Sequence, residues 1–257
     1  MAAPPTKTPG VEMVDRLPSS SEPKPEGEVL GCDASELAQV HRIFRWLYRE
    51  LPLLIREVGD GDRERAAIVG DYAKIDFYAL HLHHESEDLV LWDRLTSRAP
   101  ACALHVEQMR AQHAEVAAQL AVLEPLLPPW RESADATLRD AFATGVERLR
   151  DTLFAHLGEE EEKIVPVAAE MLSQQEWDQM GEHALESMQA SRKELPRDIM
   201  SLQLGMMLAT IPEDERAAWT RANLPVPVRI LYMLLLKRRY DRAMAELYPD
   251  RPVPAMT

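Results

Sequence analysis

At 257 residues and 46% hydrophobic content, the chain can bury a real core, as one large domain or two small ones. With 43 acidic against 29 basic residues its net charge is -14, which repels phosphate backbones and argues against nucleic acid as the main partner. Two cysteines, Cys32 and Cys102, in no C-x-x-C arrangement, suggest neither a disulfide framework nor a thiolate zinc site. The opening MAAPPTKTPG lacks an apolar signal core, and no apolar run reaches the roughly 18 residues of a membrane span, so a cytoplasmic protein without a transmembrane segment is expected.

Residues 1–31 are rich in Pro, Ser, Glu and Lys and poor in large apolar side chains, a composition that predicts a disordered tail. From Asp33 the pattern turns helical. Asp33-Ala-Ser-Glu36 resembles a capping box, and Leu37, His41, Phe44, Tyr48 and Leu51 recur at helical spacing until Gly59-Asp-Gly61. A second helix is expected over about 62–97, and a third from near Pro100 to about Glu124. Pro125, Pro128 and Pro129 are read as a break. A fourth helix then carries Leu149, Leu153, His156, Glu160, Ile164 and Val167 on one stripe. Four long helices with short connections predict an all-α, up-down-up-down bundle over 32–172.

Residues 173–257 form a separate helical extension in this reading, with a second capping box at Ser173-Gln-Gln-Glu176 and helical patterns over 176–189, 197–210, 213–222 and 228–247. Its apolar run Val228 to Leu236 precedes Lys237-Arg-Arg239. That fits a membrane-surface helix or, more simply, packing on the bundle or in a homodimer through the C-terminal helices.

Four of the eight histidines fall one to a bundle helix: His41, His83, His113 and His156. His83 and Glu87 lie four apart, as do His156 and Glu160, so each pair projects from one helical face. Imidazole nitrogen with carboxylate oxygen suits iron, manganese or zinc, and a carboxylate can bridge two metals. Any single His on an apolar face is more simply a core or surface residue, and Glu159-Glu-Glu-Glu162 alone reads as a solvated face. The joint pattern weighs against that. Glu160 lies on the stripe of Leu153 and Ile164, where a carboxylate costs several kcal/mol unless it is paired or bound to metal.

The runs His83-His-Glu-Ser-Glu87-Asp-Leu-Val-Leu-Trp92, Met109-Arg-Ala-Gln-His113 and His156-Leu-Gly-Glu-Glu160-Glu-Glu-Lys-Ile-Val-Pro166, together with Val40-His41-Arg42, resemble the successive motifs of hemerythrin-like proteins, the HHE cation-binding domain. The resemblance covers about 33–172. Proteins of bacterial, actinobacterial type resembling this one carry such C-terminal extensions. The resemblance implies two Fe ions, oxo- or hydroxo-bridged, with Mn or Zn as substitutes. Its ligands would be His41, His83, His113 and His156, with Glu87 and Glu160 as bridges.

One position departs from the family pattern. Respiratory hemerythrins place a further His one turn before the third-helix ligand, and here that residue is Met109, a poor ligand for iron. His84, about 100° around the helix from His83, is the favoured replacement; Tyr72, Tyr48 or open coordination are alternatives. Glu161 competes with Glu160, as the family's spacing allows. His81, His105 and His183 read as surface residues, while Phe44, Trp46 and Trp92 are expected to pack around the site. Ferritins are set aside because their motif runs Glu-x-x-His, with the Glu first. The resemblance implies binding or turnover of a small oxidant (O2, NO or H2O2), as a peroxide- or nitric-oxide-consuming oxidoreductase. The alternative is an iron- or oxygen-sensing module whose occupancy alters the contacts of the extension.

Overall fold

The computed structural model describes residues 29–191 and 199–256. Most of the tail expected to be disordered therefore lies outside the described residues. Its last residue, Gly31, is pinned: its N–H donates to the Leu172 carbonyl at 2.8 Å, and Gly31 and Ser173 form an isolated bridge. Apart from that bridge the described residues are helices and their connections.

In chain order the helices are α1 (Ser35–Arg56), α2 (Arg63–Val90), α3 (Trp92–Arg98), α4 (Ala103–Leu123), α5 (Leu127–Ser133), α6 (Ala136–Lys163), α7 (Val165–Met171), α8 (Gln174–Ala190), α9 (Ile199–Ala209), α10 (Glu213–Asn223), α11 (Val226–Leu231) and α12 (Lys237–Leu247), with a π-helical turn over Tyr232–Leu236. The bundle is built from α1, α2, α4 and α6, with α1 and α4 each packed along α6.

Local chemistry sets the ends. The carboxylates of Asp62 and Asp135 accept from the Arg65 and Leu138 amides, and Ser173 with Glu176 forms a complete capping box. The box expected at Asp33–Glu36 is not formed. Asp33 instead accepts from the Ser35 amide at 3.0 Å, and the cap position is Ala34. The expected second and fourth helices are each divided, at Leu91 and at Ile164. Pro166 accounts for the second division, since it has no N–H for the Glu162 carbonyl and its ring crowds that turn. The proline cluster does not simply break the chain either: Pro128 sits in the first turn of α5, where a missing N–H costs nothing.

The core falls into two clusters. The larger runs from Phe44, Leu47 and Leu51 through Phe77 and Leu80, Val116 and Leu120, to Phe142, Leu149 and Leu157. The smaller gathers Leu37, Leu91, Trp92, Leu95, Met109, Ile164 and Leu172 with Trp177 and Met180 of α8. On every bundle helix the histidines and glutamates singled out by sequence lie between the two: His41 on α1, His83 to Glu87 on α2, His113 on α4, and His156 with Glu160 on α6.

Part of the extension covers the bundle. Helix α8 lies along α2, α9 touches α1, and α12 touches α9 and α2. Trp46, expected near the site, faces this cover instead: its Nε1–H donates to the Pro254 carbonyl at 3.0 Å and its ring meets Tyr248. Around α11 and the π-helical turn, Ile230, Leu231, Met233, Leu234 and Leu235 are 40–69% exposed, so this apolar run does not pack on the bundle. No helix among the described residues is long and apolar enough to cross a membrane.

Candidate metal centre

Between the two cores, donor atoms from four helices converge in two groups that share Glu87. One comprises His84, Glu87, His113 and His156; the other comprises His41, His83, Glu87 and Glu160. Within each group the ligand atoms lie within 4.8 Å of one another. The two carboxylates sit between the groups. Glu87 Oε1 is 3.3 Å from His83 Nε2 and its Oε2 is 3.5 Å from His113 Nε2; Glu160 Oε2 is 3.4 Å from His41 Nε2 and 3.7 Å from His156 Nε2.

These atoms have no other use. The Nε2 atoms of His41, His83 and His84 and both oxygens of Glu87 and Glu160 are buried without a hydrogen-bond partner. Buried polar atoms are normally satisfied, and a concentration of orphans at one place marks a missing partner. Electrostatics point the same way. Burial pushes the Glu160 carboxyl up to about 8, with Glu161 and Asp88 adding repulsion, and pushes Glu87 well above its ordinary range, with Glu160 adding to it. Burial also drives His83 and His84 well below the ordinary imidazole range and His156 down to about 3, neighbouring imidazoles contributing in each case. Neutral imidazoles are the form a cation requires of its ligands, and the crowding that raises the two carboxyls is repulsion and desolvation that a cation placed between them would offset.

Outer partners fix which nitrogen faces the centre. His41 Nδ1 lies 2.9 Å from Glu161 Oε1, which also accepts from Arg45 at 2.7 Å. Burial alone would raise Glu161, but these two bonds outweigh it and hold the carboxyl at about 2, so it accepts and His41 Nδ1 donates. His113 Nδ1 is 2.8 Å from Asp88 Oδ1, whose other partner is the Trp92 indole N–H. His156 Nδ1 is 3.0 Å from Gln112 Oε1, while the Gln112 amide nitrogen donates to Glu159. With protons on Nδ1, the Nε2 lone pairs of His113 and His156 face each other at 3.2 Å. Two lone pairs in that arrangement repel unless a cation lies between them.

Tested on these orphaned atoms, the residues fit a metal pair. Five nitrogens divide three to two, and the carboxylates stand between. Met109 is fully buried in the smaller core, and the His84 ring stacks on His113 with centroids 4.1 Å apart and 13° between planes. Tyr48 is buried in the larger core and Tyr72 packs against it. Glu161 turns outward to Arg45 while Glu160 faces in. Phe44 and Trp92 flank the donors, with ring centroids 5.0 Å from His83 and 5.4 Å from His113. His81 pairs with Glu124 and His183 with Glu85, away from the centre.

Asp88, Gln112, Glu161 and Arg45 act on the donors from outside, and sequence reasoning did not assign them these roles. A signal exists for three: each is the immediate neighbour of a donor, the place a helix turns toward the adjacent helix.

A helical bundle that aims imidazoles and carboxylates inward from all four helices is a metal-binding bundle. The model of the hemerythrin HHE cation binding domain matches residues 32–168, more than half of the chain, and the protein belongs to that family of cation-binding domains. No curated protein and no solved structure matches it.

Proposed function

We propose that the protein holds two iron ions, one on His84, His113 and His156, the other on His41 and His83, with Glu87 and Glu160 bridging, and that it binds or turns over a small oxidant: O2, NO or H2O2. The observation that carries this reading is the unequal division of five orphaned or opposed Nε2 atoms about two shared carboxylates. The group with two histidines has fewer protein ligands, so an exogenous molecule binds there. A bound iron pair would supply Lewis acidity and redox capacity; the chain supplies neutral imidazoles and fixed tautomers. The test is metal content with near-ultraviolet absorption of purified protein, followed by peroxide and nitric oxide consumption with a reductant. Two metals per chain with charge-transfer bands are expected. Fewer than two metals without such bands would end the dinuclear reading, and no consumption of either oxidant would end the enzymatic one.

A sensing role is favoured by one separate observation. Trp177 and Met180 of α8 belong to the smaller core, which the donor layer separates from the larger, so a cation in that layer ties the start of the extension to the bundle. Unchanged protease sensitivity of residues 173–257 on metal removal would remove this reading.

A further inference from the structure

The extension does not close on the bundle everywhere it covers it. A cavity of about 600 Å³ remains between α1 and α2 on one side and α8 and α9 on the other. Its floor is Phe44, Leu47 and Ile75, its roof includes Met180, Ala184 and Met206, and it extends to His83 and Glu87 of the donor layer. Pockets that enclose a small organic molecule span roughly 300–1,000 Å³. This one is far larger than a diatomic gas or peroxide needs. Water is poorly held by such walls, and an empty apolar space forfeits the dispersion contacts of its whole lining. Four methionines, Met180, Met188, Met206 and Met207, line it, and their flexible thioethers adapt to varied apolar shapes.

Charge narrows the class of occupant. Apart from His83, the ionisable groups on the wall among the described residues are carboxyls: Asp76 and Glu87, buried, and Glu36, Asp178 and Glu182, exposed. No lysine or arginine lines the cavity among the described residues, so a carboxylate, phosphate or sulfonate would meet like charge and no partner. We propose that this cavity binds one uncharged apolar organic molecule, seated against the His83 and Glu87 side of the donor layer. The proposal stands on the cavity walls and holds whichever metal the donors carry.

Two dyes with one ring system test it on the full-length protein: uncharged N-phenyl-1-naphthylamine and anionic 1-anilinonaphthalene-8-sulfonate. The uncharged dye should bind saturably at one per chain, and the sulfonate at least roughly tenfold more weakly. Decan-1-ol should displace the uncharged dye and decanoate should not, an arm that needs no variant. Gly181 lines the cavity, and a Cβ built there meets nothing within 4 Å, so Gly181→Trp sets an indole at the cavity wall with no clash at Cβ. Ala184→Trp acts one turn further along the same wall. Each should weaken the dye by roughly tenfold or more with helicity and metal content unchanged, while Gly181→Ala, which only improves helix propensity, keeps it. Non-saturable binding, equal affinity for the sulfonate, displacement by decanoate as readily as by decanol, or folded tryptophan variants that bind as the parent does would each overturn the proposal. Since the readout is dye binding, its failure leaves the metal reading intact, and a protein without metal pairs could still pass.

Discussion

The two hydrophobic cores share α1, α2 and α4 and yet differ in what completes them and in what they must accomplish. The larger holds Phe77, Trp130 and Phe142 in edge and tilted contact, with ring centroids 5.3–6.1 Å apart, and contains none of the donor residues. The smaller is a cap of short helices, α3 and α7 with the start of α8, and is joined to the rest of the bundle across a layer of buried imidazoles and carboxyls. That layer costs stability while its charges are uncompensated. In the proposed reading a cation in that layer relieves this cost and adds to what the through-running helices α1, α2 and α4 already do to join the two cores.

The comparison breaks most sharply at Glu87, the one donor common to both groups. Glu87→Ala should lower metal content from two per chain to near zero, a loss of well over roughly a hundredfold in affinity, while removing a buried carboxyl and so leaving the metal-free protein no less stable. Metal analysis and thermal melting of the metal-free form check both halves. A variant that keeps one metal would mean that the second carboxylate, Glu160, suffices. Phe142→Ala does the reverse. It should cost about 3–5 kcal/mol through the cavity left in the larger core, read by denaturant unfolding, with metal stoichiometry unchanged in the folded fraction.

Between these lies Glu161, which touches the layer only through His41 and Arg45. Glu161→Ala should weaken metal binding by about 10–100-fold with no loss of final stoichiometry, because His41 loses its oriented tautomer and not its nitrogen. Competition with a chelator measures it, and an unchanged affinity would show that packing alone orients the ring. Smaller again is Met109→Leu. If the thioether only fills the smaller core, the cost is under about 1.5 kcal/mol and metal content does not move; a loss of metal would make Met109 a ligand.

How much of this was legible in the sequence depends on which forces decide each feature. The four bundle helices follow from apolar period; for the His and Glu positions only their joint occurrence on core stripes outweighs the simpler readings of each, and the candidate ligand set comes from the motifs' resemblance to the family. The single-residue divisions at Leu91 and Ile164 were missed because the helical period continues almost unbroken across them, although Pro166 marks one. The failed box at Asp33 shows a local competition: an aspartate can satisfy the nearer Ser35 amide first. Trp46 shares α1 with His41, but α1 has two buried faces and the extension claims the one that carries Trp46. Outer partners are chosen by neighbouring helices, and a sequence alone does not order those.

The smallest effect sharpens the comparison within the smaller core. Glu176 joins α8 to α3, with Arg98 forking onto both of its oxygens at 2.6 and 2.7 Å and Arg94 at 3.3 Å. The Arg98 bonds hold its carboxyl at about 2 against an ordinary 4.5, burial opposing. A carboxylate depressed in the folded state contributes stability above its unfolded value and loses it as pH falls, here between about 4.5 and 2. Glu176→Gln should flatten that part of the stability curve and lower stability at neutral pH, where the charged bonds are fully made, with the difference from the parent shrinking as pH falls toward 2. Hydrogen exchange should locate the loosening in α3, α7 and the start of α8, while amides of the larger core keep their protection. Equal loss of protection in both cores would mean that they open as one unit and that the donor layer is no boundary at all.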